Sequence, residues 1–225
     1  WGFLASLVER TVEVWQEPDC GIWEMRGRRQ HFVHSKVMCW AALDRGIRLA
    51  SSTGRRIPHS RWEAARDQIR EAVERDGYDV ARGVFRQAFG SHEIDAALLL
   101  LPTVDFVAAD DERMVRTADA IAAELAEPLV NDLRLVRRYR CDDHLPGEEG
   151  PFLACTFWMA EVLALQGRGA EARCWFDRAQ SAANDLGLFP EECSRSGEAR
   201  GNFPQGMTHL SHIAAAVALS RGTPS

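Results

Sequence analysis

The feature that most restricts what this chain can fold into is an alternation between two kinds of helical stretch. Eight stretches carry the helical period, at about 3–16, 35–50, 60–76, 92–101, 112–127, 151–166, 169–185 and 205–220, and no strand-like alternation of any length interrupts them. The first, third, fifth and seventh are striped: Trp62, Ile69 and Val73 form one face against Arg66, Asp67, Arg70 and Glu71. The second, fourth, sixth and eighth are apolar nearly all round, as in Val37-Met38-Cys39-Trp40-Ala41-Ala42-Leu43 and Ala96-Ala97-Leu98-Leu99-Leu100-Leu101. A striped helix borders water, whereas one apolar on every side must be covered on every side. The order outer, inner, outer, inner predicts an all-α fold of two concentric helical layers.

Striped helices begin near 3, 60, 112 and 169, a pair period of about 52–57 residues. This exceeds the tetratricopeptide, ankyrin and HEAT periods, and the pairs share no obvious sequence, which disfavours a simple solenoid. The extra length lies in the connections from each outer to the next inner helix, at about 17–34, 77–91, 128–150 and 186–204. In an up-and-down array alternate connections emerge at the same end, so all four long loops are expected on one face. Long ordered loops on a rigid scaffold are where binding and catalysis concentrate.

Composition excludes several classes. With 225 residues, 46% of them hydrophobic, the chain can bury one substantial core, and neither disorder nor a small disulfide scaffold fits. A net charge of -6 argues against a nucleic-acid partner, because phosphate binding needs clustered positive charge. No apolar run approaches the roughly 20 residues that span a bilayer, so no membrane partner is expected. Ile94 to Val107, the longest candidate, is broken by Asp95, Pro102 and Asp105. The six cysteines include no Cys-x-x-Cys pair, Cys39, Cys155 and Cys174 lie in apolar helical patterns, and no signal-peptide pattern is present; a reducing, cytoplasmic setting follows. The chain begins at Trp1, and reads as a piece of something longer.

Carboxylates stand out in the long loops. In Gly21-Ile22-Trp23-Glu24-Met25-Arg26, apolar neighbours of Glu24 disfavour its ionised form, as a general acid near neutral pH requires, and Trp23 offers a flat face for a sugar ring. Glu24 equally suits a surface pair with Arg26 or Arg28. In Phe189-Pro190-Glu191-Glu192-Cys193, adjacent carboxylates repel if both are buried, so one should face a cavity and the other water or a cation. Arg138-Tyr139-Arg140-Cys141-Asp142 and Glu148-Glu149-Gly150 can grip hydroxyls through charge-assisted bonds or form a surface ion-pair network. His209 and His212, flanked by Leu210, Ile213 and Ala214, read as helix-packing histidines. Cys20, Cys141 and Cys193, with His144, are too dispersed for a metal site of recognised spacing, and no metal or organic cofactor is expected.

The wording of these blocks resembles the bacterial branch of glycoside hydrolase family 15, which contains glucoamylases, glucodextranases and trehalases. The resemblance rests on Gly21-Ile22-Trp23-Glu24-x-Arg26-Gly27, His31-Phe32-x-x-Ser35-Lys36-Val37-Met38-Cys39-Trp40, Phe85-x-Gln87 and Asp95-Ala96-x-Leu98-Leu99-Leu100-Leu101-Pro102. It continues through Arg138-Tyr139-x-x-Asp142, Glu149-Gly150-x-Phe152-Leu153-x-Cys155 and Gly201-Asn202-Phe203-Pro204-Gln205-x-x-x-His209-Leu210, nearly the whole chain in order.

The resemblance implies a partial (α/α)6 toroid: residues 1–225 as a single catalytic-domain fragment, the last eight of twelve helices, without the first helices or the β-sandwich that precedes them in many bacterial members. It implies an inverting, exo-acting α-glycosidase that releases glucose from trehalose or α-glucans, with Glu24 as general acid and Glu191 as general base. Trp23, Arg138, Asp142 and Glu149 are implied to hold the terminal glucose. The partners implied are an α-linked glucose disaccharide or oligosaccharide and the missing N-terminal part of the same enzyme, and turnover by the short chain alone is expected to be weak or nil. Cys193, Pro151, His34 and Cys20 depart from the family's usual residues, and Cys193 leaves the choice between Glu191 and Glu192 open. The rival reading is a non-catalytic helical carbohydrate-binding or interaction module.

Overall fold

The structure, a computed structural model, describes residues 1–129, 133–141 and 149–222. Among them run seven α-helices: α1 (Gly2–Val14), α2 (Val33–Thr53), α3 (His59–Asp76), α4 (Glu112–Glu124), α5 (Leu153–Leu165), α6 (Gly169–Gln180) and α7 (Gly206–Gly222). The fourth stretch, over residues 92–101, is not an α-helix. It forms a 3₁₀ turn over Ala96–Leu100 and a second over Pro102–Val104. Pro102 has no N–H to donate to the Leu98 carbonyl, and Leu101 bonds back three residues to Leu98 instead, at 3.2 Å.

The layering follows the sequence pattern. Helix α5 is buried from Leu153 to Ala164 except at Glu161, and packs against α6, α7 and the 96–100 turn. Helix α3 buries Trp62, Ala65, Ile69, Ala72 and Val73 along one face against α2. Helix α4 buries Met114, Thr117, Ala118 and Ile121; its Asp111 cap accepts from the Arg113 N–H at 2.9 Å. Two helices depart from the expected coverage. Leu210, Ile213 and Val217 on α7, and Phe3, Leu4 and Leu7 on α1, are exposed, so each presents an apolar face with no neighbour among the described residues. Cys174 is also exposed rather than packed, and all six cysteines are free.

The loops contain what the helical period concealed: three antiparallel two-stranded ladders. These are β1 (Tyr78–Asp79) with β2 (Val84–Phe85), β3 (Ala126–Pro128) with β4 (Arg134–Val136), and β5 (Glu192–Cys193) with β6 (Ala199–Arg200). Strands of two or three residues are too short to show a period of two. An isolated bridge, Asp19 to Gln30, does the same for the first long loop.

Neighbouring long loops are also bonded to one another, which puts all four on one face as expected. Phe32 pairs with Ala88, linking the first loop to the second. Gln87 Nε2 lies 3.6 Å from Cys141 Sγ, linking the second to the third, and beside it the Ala96 N–H donates to the Arg138 carbonyl at 2.9 Å. Phe152 pairs with Glu192, and the Leu153 N–H donates to the Glu191 carbonyl at 3.0 Å, linking the third to the fourth. Behind the first loop sits Lys36, the chain's one lysine, 2% exposed; its Nζ donates to the carbonyls of Trp15 at 2.7 Å and Glu17 at 2.6 Å. A buried ammonium needs such partners. They pin the end of α1 and the start of the loop to α2.

Candidate active site

The first loop turns sharply after Lys36's anchor. Asp19 accepts from Ser35 Oγ at 2.7 Å and from the Gly21 N–H at 2.6 Å, and the Met25 N–H closes the turn on the Cys20 carbonyl at 2.9 Å. Glu24 sits at the tip with φ 52°, a region that non-glycine residues seldom occupy. The turn separates Glu24 from its apolar neighbours: Trp23 packs inward, while Glu24 is exposed. The apolar enclosure that its flanking residues suggested is therefore not formed around it by the described residues.

Trp23 stands on an aromatic floor. Its ring lies 5.9 Å from Trp158, 5.6 Å from Phe152 in an edge arrangement, and 6.5 Å from Tyr139. Such offset and edge contacts are the favoured ones between quadrupoles. The Arg138 guanidinium lies over this group, 5.5 Å from the Trp23 ring and 5.3 Å from that of Phe152.

Arg138 is where the third and fourth loops converge. Its guanidinium is ion-paired with Glu149, and Glu192 Oε1 is 3.5 Å away. Its Nε is buried and has no hydrogen-bond partner among the described residues. A buried donor left unmet costs about 1–3 kcal/mol. The two adjacent carboxylates divide as repulsion requires. Glu192 faces the cation, and burial raises its pKa while Arg138 opposes the rise. Glu191 is half-buried and accepts at Oε2 from the Asn202 backbone N–H at 2.7 Å and side-chain Nδ2 at 2.9 Å.

Two glycines make these approaches possible. A Cβ on Gly150 would lie 2.1 Å from the Cys193 carbonyl oxygen, and one on Gly201 would lie 2.6 Å from Glu191 Oε2. Only glycine lets backbone and carboxylate come so near.

Of the residues singled out in the sequence, Trp23, Arg138 and Glu149 are brought together; Glu24 follows Trp23 in the chain, and Glu191 precedes Glu192, the second carboxylate at Arg138. Asp142, Glu148 and His144 lie outside the described residues. The two histidines of α7 pack as read: His209 Nε2 accepts from the Phe189 N–H at 3.3 Å, and His212 stacks on Phe176 at 5.0 Å. Cys193 is buried and Cys141 is in weak contact with Gln87; among the described residues no group of three metal-ligating side chains occurs. Two members were missed by sequence reasoning, Gln87 and Asp95. Both fall in the matched blocks, but their partners are far away in sequence: Asp95 accepts from the Trp23 indole, 72 positions distant.

The profile described as Glycosyl hydrolases family 15 matches residues 1–217. A trehalase of Mycobacterium tuberculosis is 44% identical over 225 residues, covering 98% of this chain and 32% of that protein. A trehalase of Thermoplasma volcanium is 40% identical over 220 residues, covering 97% and 35%. Among solved structures, a bacterial glucoamylase complexed with acarbose superimposes with a TM-score of 0.80 at 12% identity, over 98% of this chain and 38% of that one. A wild-type glycosidase gives 0.80 at 20% identity, over 96% and 59%. The chain spans about a third of the length of the curated relatives it matches. The structural likeness makes its helices an arc of the all-α toroid.

Proposed function

The chain belongs to glycosyl hydrolase family 15, and from that premise we propose that it is the C-terminal part of the catalytic toroid of an inverting exo-α-glycosidase that releases glucose from trehalose. Trehalose is preferred over α-glucans because the relatives at 40–44% identity are trehalases, whereas the glucoamylases are alike in fold at far lower identity. The observation that carries the reading is the Arg138 cluster: a half-buried guanidinium whose buried Nε has no partner among the described residues, a carboxylate on either side, and the Trp23 face beneath it. That combination of bidentate donors, acceptors and an aromatic plane suits a glucose ring and its hydroxyls.

In this reading Trp23, Arg138, Asp142 and Glu149 hold the terminal glucose. Glu24 gives its proton to the glycosidic oxygen as the C1–O bond breaks. Glu191, oriented by Asn202, takes a proton from water, and the water oxygen forms the new bond to C1 from the opposite face. The product is one glucose of inverted configuration plus the leaving sugar. A water must fit between acid, base and ring, which sets the carboxyl separation at roughly 6.5–9.5 Å in the bound state. General acid–base cleavage of this kind needs no cofactor. The six free cysteines favour a reducing, cytoplasmic setting.

The exposed apolar faces of α1 and α7 fit contact with the remaining helices of the same enzyme. The 225-residue chain and a version extended upstream are to be assayed for glucose release from trehalose, with the anomer followed by NMR. The extended form is expected to release glucose with inversion, the short form weakly or not at all, and Glu24→Gln to abolish turnover while sugar still binds. Sugar binding without turnover in the extended form would leave only a carbohydrate-binding module.

A further inference from the structure

The wall beneath Arg138 is held from behind by a residue to which the mechanism above gives no part. Asp95 is 4% exposed and stands where the loops meet. Its Oδ1 accepts from Trp23 Nε1 at 2.9 Å and from the Ala97 N–H at 2.7 Å. Its Oδ2 accepts from Trp23 Nε1 at 3.1 Å and from Gln87 Nε2 at 3.2 Å. The next residue, Ala96, is bonded to the Arg138 carbonyl. One carboxylate thus joins the first loop to the second, one peptide from the tie to the third.

Capping the 96–100 turn does not explain this arrangement. A cap needs one acceptor oxygen, and serine or threonine supplies it without a buried charge. Here both oxygens reach the indole N–H of Trp23, and a charge-assisted bond of this kind is about twice as strong as a neutral one. The bond fixes the edge of the indole while Trp158, Phe152 and the Arg138 guanidinium fix its faces. Edge and faces together permit one orientation of the ring. Glu24 is the next residue, at the tight turn with φ 52°, so its backbone leaves from that anchored ring.

We propose that Asp95 is a positioning residue of the sugar site: by gripping Trp23 Nε1 it fixes the indole wall and, through the following peptide, the place of the Glu24 carboxyl. The proposal rests on the assignment of Trp23 and Glu24 to that site. The titratable and charged groups that face Asp95 are Arg138 and Cys141 from the third loop and Cys155 from α5.

The test uses ¹⁵N-indole NMR of the chain, whose seven tryptophans give countable signals, with Trp23→Phe identifying the Trp23 signal. Trp62 on α3, whose indole donates to Glu9 of α1 at 2.7 Å, reports folding independently. In the wild type the Trp23 signal is expected to titrate with a midpoint near pH 6, where burial places Asp95. Asp95→Asn, which keeps one acceptor, should abolish the titration but retain contacts from Trp23 to Trp158 and Phe152. Asp95→Ala should lose those contacts with the Trp62 signal unmoved. Unchanged Trp23 contacts in Asp95→Ala overturn the proposal. If that variant does not fold, a Trp23 indole signal with the same ¹H and ¹⁵N shifts in Asp95→Asn as in the wild type overturns it equally, since the bond from Trp23 Nε1 to the carboxylate would then not exist. In the form that hydrolyses trehalose, kcat should fall about 10²-fold in Asp95→Ala, the scale of a displaced catalytic group, and recover in part in Asp95→Asn; an unaltered kcat overturns it too. If no form of the wild type hydrolyses trehalose, the glycosidase reading fails, and the NMR arm still decides the role of Asp95.

Discussion

Replacing Asp95 by asparagine should make the protein more stable at neutral pH relative to acid, and by a calculable amount. Burial raises the Asp95 carboxyl from its ordinary 3.8 to about 6, against the lowering effect of the Ala97 N–H, Trp23, Gln87 and Arg138. The folded-state value lies above the unfolded one. Stability from this group is therefore fully present below pH 3.8 and is lost as pH rises through 6. The gap corresponds, at 1.36 kcal/mol per tenfold change in proton affinity, to roughly 3 kcal/mol above pH 7. At pH 4 the unfolded carboxyl is already more than half ionised, so the difference between pH 4 and pH 7.5 is about 2 kcal/mol. Asparagine has the same shape, keeps an acceptor for Trp23 and Ala97, and carries no charge at either pH. Urea unfolding of both proteins at the two pH values, followed by circular dichroism, gives the quantity directly. The stability of Asp95→Asn relative to wild type should rise by about that amount between pH 4 and pH 7.5. A relative stability that is flat or falls over this interval refutes the argument that an ionised carboxylate is held there against its own desolvation.

Other expectations follow from the loop contacts and the proposed mechanism. Gly150→Ala places a methyl 2.1 Å from a backbone carbonyl that has no rotamer to retreat to, and should cost about 3 kcal/mol or more while opening the Phe152–Glu192 pairing; an unaltered melting temperature contradicts the packing described. Lys36→Met removes the buried donor that ties the Trp15 and Glu17 carbonyls to α2 and should lose about 2 kcal/mol in urea unfolding; a change within 0.5 kcal/mol, about the scale of an ordinary surface substitution, rejects the anchoring role. Glu191→Gln should lower trehalose turnover by about 10²–10⁴-fold, whereas Glu192→Gln should chiefly raise KM by loosening Arg138; the opposite ranking in steady-state kinetics assigns the base to Glu192.

Helix character was the most legible part of the fold, because it depends on local spacing. The stripe of Trp62, Ile69 and Val73 and the nearly all-apolar run from Leu153 to Ala164, interrupted at Glu161, each match what the structure buries. The stretch over residues 92–101 was misread because apolarity reports burial and not hydrogen-bond register; only Pro102 signalled the 3₁₀ form. The loop ladders left no trace because two-residue strands have no period. At the candidate site, Trp23, Arg138 and Glu149 were singled out from the family wording, and the structure places them side by side. The network behind them was not legible. Asp95 reads locally as a charge that interrupts an apolar run, and its indole partner is 72 positions away. The exposure of Glu24 was equally hidden, since sequence neighbours say little about side-chain surroundings at a turn with positive φ.

The burial of Lys36 bears on how the molecule can be handled chemically. With the one ε-amine of the sequence 2% exposed and committed to two carbonyls, reagents directed at lysine find no target on the folded surface. Acylation of that amine then becomes a clock for opening of the first loop away from α2, readable by mass spectrometry at a single position.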